Sequence, residues 1–166
     1  MRHIISILLQ NEAGALSRVA SLFSTRGYNI ESLNVAPTEH PEVSRLTLVT
    51  IGSDQVISQI NKQLLKLVDV VNLADMTLGD HIERELALVK LRVPPAEAGR
   101  VQSLAAEKGI RVLDDSLDSY TLEITGTGSQ IDDFIDRAMG VGEILSVVRS
   151  GPLAIARGRQ VLSGAF

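Results

Sequence analysis

The chain has 166 residues, of which 45% are hydrophobic, 22% charged and 3% aromatic, so a core has to be built from aliphatic side chains. The absence of cysteine excludes disulfides, thiolate metal ligands and cysteine nucleophiles. The net charge of −4 gives no basic field for nucleic acid, and no stretch has the apolar length of a transmembrane span. We therefore expect a cytoplasmic protein that forms one ordinary domain or two small ones.

The first half of the chain alternates between strand and helix patterns. A short aliphatic run begins it, a turn follows at 11–14, and an amphipathic stretch then ends before Gly27, a residue suited to a helix stop. The predicted elements are a strand over 3–9, a helix over 15–26, strands over 29–36 and 43–51, a helix from 54 and a strand over 68–76. This β-α-β-β-α-β order is that of the ferredoxin-like, split βαβ unit.

The same order recurs in the second half, which begins near residues 78–80. The predicted elements are a strand over 83–93, a helix over 96–108, a hairpin with strands over 110–117 and 120–125, a helix over 131–138 and a strand over 143–148. The fold class is therefore α+β, with two tandem ferredoxin-like domains over 1–78 and 79–166. Residues 149–166 contain three arginines, no acidic residue and several glycines, so we expect a loosely ordered basic tail.

A ferredoxin-like sheet carries helices on one face, which leaves the other face to be covered. In the strand over 43–51 both faces are aliphatic, with Leu46 and Leu48 on one side and Val49 on the other. A loop or tail of the same chain could cover the second face. We favour a homodimer in which two sheets are joined or stacked, because a domain of about 80 residues is marginally stable alone.

Side chains typical of catalytic or metal sites are scattered along the chain. His3, His40 and His81 lie far apart, so we expect solvated or structural histidines and no metal site. The acidic group at 114, 115 and 118 lacks the glycine and the final glutamate of a calcium loop, which favours a solvated hairpin. The loop GTGS at 126–129 has neither the lysine of a phosphate loop nor a dinucleotide-binding spacing. No catalytic residue is predicted.

The turn that follows the first strand carries a chemical argument for a ligand. It leads into a helix whose first N–H groups have no internal partner and lie at the positive end of the helix. Gly14 permits close approach to the backbone, so a carboxylate could dock on the amides near Gly14, Ala15 and Leu16. Asn11 and Asn29 offer amide oxygens to an ammonium group, although both are equally suited to turns.

An apolar seat beside these groups could come from the strand that follows Asn29. Its aliphatic candidates are Ile30, Leu33 and Val35. Together with the turn, they make up the parts of a receptor for a small amino acid.

Several segments resemble the small regulatory subunit of acetohydroxyacid synthase (acetolactate synthase). They are NEAGALSRV at 11–19, RGYNIESL at 26–33, SRLT at 44–47, QLLKLVDV at 63–70 and EREL at 83–86. The resemblance is close over about residues 1–90 and looser around Tyr120 and 148–151. Ala13 stands where many relatives have proline, which changes the rigidity of the turn but removes no ligand group.

The resemblance implies that the first half is an ACT domain, which binds valine or a related branched-chain amino acid at a dimer interface. Asn11, Gly14 and Asn29 match the effector-binding motif of the family. With the turn and strand residues added, the predicted effector-binding residues are Asn11, Ala13, Gly14, Ala15, Leu16, Asn29, Ile30 and Val35.

The resemblance also implies a catalytic large subunit as partner, which carries thiamine diphosphate, Mg and FAD and condenses pyruvate with pyruvate or 2-oxobutyrate. This chain would be a homodimeric, non-catalytic subunit without cofactors of its own that activates the enzyme and confers feedback inhibition in branched-chain amino acid synthesis. Three alternatives stay open. They are an amino-acid-binding module that acts on another partner, an enzyme that uses the acidic group near Asp114, and an oligomerisation scaffold without a ligand.

Overall fold

The computed structural model describes residues 1–164, so the last two residues of the predicted second domain, 165–166, lie outside the described part. The chain divides into two compact units. The first contains Met1–Ile82 together with the segment from Leu153 onward, and the second contains Glu83–Pro152. Within the described residues, no helix combines the length and apolar character needed to cross a membrane.

The first unit has the predicted β-α-β-β-α-β order. Its elements are β1 (Arg2–Gln10), α1 (Ala15–Thr25), β2 (Ile30–Pro37), β3 (Val43–Ile51), α2 (Asp54–Leu64) and β4 (Val70–Asp75). The four strands form an antiparallel sheet in the order β2-β3-β1-β4, so β2 and β4 are its edges. The ferredoxin-like prediction for this half is confirmed.

The main core of the first unit lies between the sheet and its two helices. Alternate residues of β1 and β3 point to this side, and α1 and α2 each add an apolar stripe. The fully buried members are Ile5, Ile7, Val19, Phe23, Leu46, Leu48, Ile57 and Leu64. This packing fixes the helices to the sheet and thereby positions the turn between β1 and α1.

The second face of the same sheet is partly covered by the chain's own C-terminal segment. A short strand, β9 (Leu153–Ala156), places Ala154 in a small buried cluster with Ile4, Val49 and Met76. Farther along, the carbonyl oxygen of Ser163 accepts a hydrogen bond from Nδ2 of Asn72 at 2.6 Å. The expectation of a loosely ordered tail is therefore wrong for this segment, because its small apolar residues fit against a face that would otherwise meet water.

The second unit repeats the architecture. Its elements are β5 (His81–Arg92), α3 (Ala98–Ala105), β6 (Ile110–Ser116), β7 (Ser119–Gly126), α4 (Gly128–Met139) and β8 (Glu143–Arg149). The strands lie in the order β6-β7-β5-β8 and pair antiparallel. The helix predicted to start at 131 begins at Gly128, because Thr127 and Gln130 form a capping box there.

Candidate functional site

The turn between β1 and α1 leads to the positive end of α1, where the N–H of Ala15 donates to the carbonyl oxygen of Glu12 at 3.3 Å and the next N–H groups have no partner within the helix. Gly14 precedes the helix with φ +87°, a left-handed conformation that suits glycine. It caps the helix without a side-chain hydrogen bond, and the first turn of α1 contains no acidic residue. By contrast, Ser53 caps α2 by accepting a hydrogen bond from the main-chain N–H of Val56. The positive end of α1 is thus not neutralised by its own side chains.

Asn11 is held at the end of β1 by the loop that joins β2 to β3. Its main-chain N–H donates to the carbonyl oxygen of Glu42 at 2.8 Å, and Nδ2 of its side chain donates to the carbonyl oxygen of Pro41 at 2.9 Å. Because Nδ2 is engaged in this way, the side-chain amide has a defined orientation. Its Oδ1 is then the atom that can accept a hydrogen bond from an ammonium group.

A cavity of about 250 Å³ lies beside this turn. Its walls are formed by Leu9, Gln10, Asn11, Glu12, Ala15, Leu16, Val35, Ala36, Pro37 and Ser44. The wall combines polar groups from the turn with aliphatic side chains from α1 and the end of β2. The volume is below the roughly 300–1,000 Å³ of sites for drug-sized ligands, so it fits a small metabolite better.

Of the residues predicted to bind an effector, Asn11, Ala15, Leu16 and Val35 line this cavity. Ala13 and Gly14 belong to the same turn, although neither is among the residues of the wall. The turn therefore brings a side-chain amide, helix N–H groups and aliphatic surface to one place, which are the groups that an amino acid requires.

Asn29 and Ile30 lie at the opposite end of β2. Ile30 pairs with Thr50 of β3, and Oγ1 of Thr50 donates to the carbonyl oxygen of Asn29 at 2.7 Å. At about 3.3 Å per residue, the chain from Asn29 to the cavity residue Pro37 spans about 26 Å. Ile30 and Leu33 pack against the helix-side core of their own chain rather than the cavity. One chain alone does not bring Asn29 to Asn11.

Arg18, one turn into α1, forms an ion pair with Asp69, the residue before β4. Nε of Arg18 donates to Oδ2 of Asp69 at 2.5 Å, and Nη2 donates to Oδ1 at 3.0 Å. The Arg18 guanidinium lowers the pKa of the Asp69 carboxyl below its ordinary value through these hydrogen bonds and its charge, in opposition to burial. The same bonds raise the pKa of Arg18, so both groups are charged at neutral pH.

Sequence reasoning missed part of the cavity wall and the ion pair beside it. Pro37 pairs with Ser44 across β2 and β3, so the end of one strand and the start of the next reach the same corner. The only sequence signal for this part of the wall was the proline at the end of β2, since proline indicates where a strand stops. Arg18 and Asp69 are 51 positions apart in the chain, so no local sequence pattern could predict that they form an ion pair.

None of the remaining candidate groups is part of the cavity wall. His3 is buried, and its Nδ1 lies 2.7 Å from Oδ2 of Asp75. Asp114, Asp115 and Asp118 are exposed on the β6–β7 hairpin. Among residues 1–164, no group of three or more histidine, aspartate and glutamate side chains is arranged to hold a metal ion.

Comparisons with known proteins agree with the architecture of both units. A family model described as the AHAS small subunit-like ACT domain matches residues 5–72, and one described as the small subunit of acetolactate synthase matches residues 84–158. The chain is 43% identical to the acetolactate synthase isozyme 3 small subunit of Escherichia coli, with 98% of this chain and 99% of that protein covered. It is 40% identical to the probable acetolactate synthase small subunit of Archaeoglobus fulgidus, with 96% and 99% covered.

A solved structure supports the same assignment. The crystal structure of the acetolactate synthase small subunit from Thermotoga maritima matches with a TM-score of 0.87 at 33% identity, and the match covers 96% of this chain and 99% of that one. The sequence similarity and the shared fold both extend over nearly the whole length. The chain therefore belongs to the family of acetolactate synthase small subunits, and its first unit is an ACT domain.

Proposed function

We propose that this chain is the regulatory subunit of an acetolactate synthase and that it binds valine in the cavity beside Gly14. The observation that supports this most directly is the cavity wall, in which Asn11 lies next to the start of α1, which receives no side-chain capping hydrogen bond, and to aliphatic side chains. An α-amino acid presents a carboxylate, an ammonium group and a side chain within a few ångströms. The wall offers a complementary group for each.

In this proposal, the valine carboxylate accepts hydrogen bonds from the main-chain N–H groups at the start of α1, where the helix dipole favours negative charge. The ammonium group donates to Oδ1 of Asn11. The isopropyl group packs against Leu16 and Val35, which are 38% and 40% exposed in the chain alone. Burial of this aliphatic surface adds a hydrophobic contribution to binding.

We also propose that the complete site forms between two copies of the chain. β2 is an edge strand with unpaired main-chain groups on its outer side. If two β2 strands paired antiparallel about an axis near Leu33, Asn29 of the second copy would lie opposite Pro37 of the first. The second asparagine of the motif would then reach the cavity from across the interface, although it lies about 26 Å away within its own chain.

The partner in this proposal is a catalytic large subunit, which would carry thiamine diphosphate, Mg and FAD, whereas this chain binds the effector and carries out no chemistry itself. The names of the relatives as small subunits of acetolactate synthase support that division and a cytoplasmic location. Valine would act by binding one arrangement of the two copies more tightly than another. A coupling free energy of about 1–3 kcal/mol changes affinity roughly 5–150-fold, which is ample for feedback inhibition.

The test is reconstitution of the chain with its catalytic subunit and titration of valine, leucine and isoleucine against acetolactate formation. We expect the chain to raise the activity of the catalytic subunit and to make it sensitive to valine. Calorimetry of the chain alone should detect the same amino acid. Activity of the purified chain with pyruvate in the absence of a partner would contradict the regulatory assignment, and silent calorimetry with all three amino acids would contradict the site.

A further inference from the structure

Asp69 holds both flanks of the turn that precedes α1. Its main-chain carbonyl oxygen accepts a hydrogen bond from the N–H of Gln10 at 2.8 Å, at the end of β1. Its carboxylate accepts two hydrogen bonds from Arg18, one turn into α1. Residues 11–14 lie between these anchors, connect the sheet to the helix and include Asn11. One residue from the connection between α2 and β4 thus sets the distance between the two ends of the turn.

Arg18 adds a second link to the same turn. Its main-chain N–H donates to the carbonyl oxygen of Gly14 at 3.0 Å. Its guanidinium lies over Gly14, since Nη1 is 2.8 Å from the position that a Cβ atom would take there. Any rotation of the Arg18 side chain away from Asp69 therefore changes the surroundings of the glycine that starts the helix.

Burial makes this pair a defined geometric constraint rather than a loose surface contact. The Asp69 side chain is 4% exposed, and Arg18 is 48% exposed. A carboxylate so buried requires its partner, because a charge without one is costly away from water. The two parallel hydrogen bonds of an arginine–carboxylate pair also fix the relative orientation of the two side chains. The orientation of α1 relative to β1 is thereby restrained at the N-terminal end of the helix.

We propose that Asp69 and Arg18 are positioning residues for the effector site: they hold the 11–14 turn so that Asn11 and the first N–H groups of α1 converge on one ligand. Neither side chain is part of the cavity wall. The pair acts through Asn11 and Gly14 and contributes no ligand group. This inference rests on the proposed binding of valine in the cavity beside Gly14.

The second unit provides a matched control for the test. Glu85 is also 4% exposed, and Arg149 binds it through Nε at 2.8 Å and Nη2 at 3.2 Å. This pair also sets an arginine against an equally buried carboxylate, but it joins β5 to β8 in the second unit, and Arg149 binds Asp132 as well, through Nη1 at 2.6 Å. Glu85→Gln therefore measures what the loss of a buried, two-bond ion pair does to the protein in general.

Calorimetry with valine on the full chain compares Asp69→Asn, Arg18→Gln, the double variant and Glu85→Gln. We expect valine affinity to fall about tenfold in both single variants, the size of effect seen when residues that orient a ligating group are replaced. The double variant should lose no more than either single one, because both remove the same interaction. Glu85→Gln should bind as the wild type does. If the losses of valine affinity in the double variant were additive, Arg18 would be a direct ligand. If Glu85→Gln lost as much affinity as the single variants, the effect would be general destabilisation. Either result overturns the proposal.

Hydrogen exchange on the ligand-free chain tests the positioning separately from valine binding. The amides of residues 11–16 should exchange faster in Asp69→Asn and Arg18→Gln than in the wild type, while those of β1 keep their protection. If the wild type binds no valine and this local change is present, the positioning stands and the proposed effector is wrong. If exchange at 11–16 stays unchanged in both variants, the positioning role is refuted whatever the calorimetry gives.

Discussion

Nη1 of Arg18 lies over Gly14, 2.8 Å from the position that a Cβ atom would occupy on that glycine. Gly14 also has φ +87°, a conformation that costs an L-residue roughly 1–2 kcal/mol. The position is therefore restricted both by backbone geometry and by a neighbouring cation. A substitution there changes the turn and the Arg18–Asp69 pair together.

We predict that Gly14→Asp abolishes valine inhibition of the reconstituted enzyme while activation of the catalytic subunit survives. The new carboxylate would repel the carboxylate of the ligand and compete with Asp69 for Arg18. Gly27→Asp is the control, because Gly27 has φ +72° and no atom within 4 Å of its added Cβ position. An inhibition curve that is the same for wild type, Gly14→Asp and Gly27→Asp would remove Gly14 from the site.

The separation of Asn29 from Asn11 within one chain leads to a complementation experiment. Asn11→Ala and Asn29→Ala should each abolish valine sensitivity when present in every copy. When the two variants are mixed and allowed to re-pair, each mixed dimer contains one site with both asparagines intact. With random pairing, about a quarter of all sites should recover valine binding, measured as calorimetric stoichiometry. A mixture that binds no more valine than its components would place Asn29 outside the site.

The Asp69 carboxyl has a pKa below its ordinary value because Arg18 favours the charged form. The folded state therefore binds that proton more weakly than the unfolded state does. The resulting stabilisation is complete above about pH 4, the ordinary range of the group, and is lost as the pH falls through the lower folded-state pKa.

We accordingly expect Asp69→Asn to lower the free energy of unfolding at pH 7, and the difference from wild type to shrink as the pH is lowered below about 4. Urea unfolding at a series of pH values measures it. A difference that is constant from pH 7 down to about pH 3 would mean that the charge of Asp69 contributes nothing.

Substitutions at two neighbouring residues of β9 test whether this strand covers the second face of the first sheet. Ala154 is 7% exposed and Ile155 is 56% exposed, so the same substitution at the two positions meets opposite environments. Ala154→Asp should lower the free energy of unfolding by about 2 kcal/mol or more, because it buries a charge among Ile4, Val49 and Met76. Ile155→Asp should change it by less than about 0.5 kcal/mol. Equal effects in thermal unfolding would show that β9 does not protect this face.

Apolar periodicity predicted the elements of both units because each strand and helix here buries one regular face. The alternation in β1 and β3 and the stripe of Val19 and Phe23 in α1 are local signals, and the core reproduces them. Boundaries were less predictable where hydrogen bonds at the ends decide them, as at Thr127, whose capping box extends α4 toward its N-terminus.

The candidate site was predictable only as far as it is local. Asn11, Ala15 and Leu16 follow one another in the chain, and the turn that joins them has a clear sequence signature. The distance of Asn29 from that turn depends on the register of β2 against β3, which no single segment encodes. The position of β9 was not predictable from the sequence either. Its four residues are small or aliphatic and follow a glycine and a proline, a pattern that is compatible both with a free tail and with a strand that covers a sheet.

The contact of Ala154 with Ile4 and Val49 has a consequence for how the protein is made. A ribosome adds about 5–20 residues per second, so roughly 4–16 seconds separate the emergence of the first sheet from that of β9. During that interval the nascent chain exposes an aliphatic surface that the finished protein hides. A chaperone that binds exposed aliphatic surface could therefore bind this sheet during translation and would be released once β9 docks.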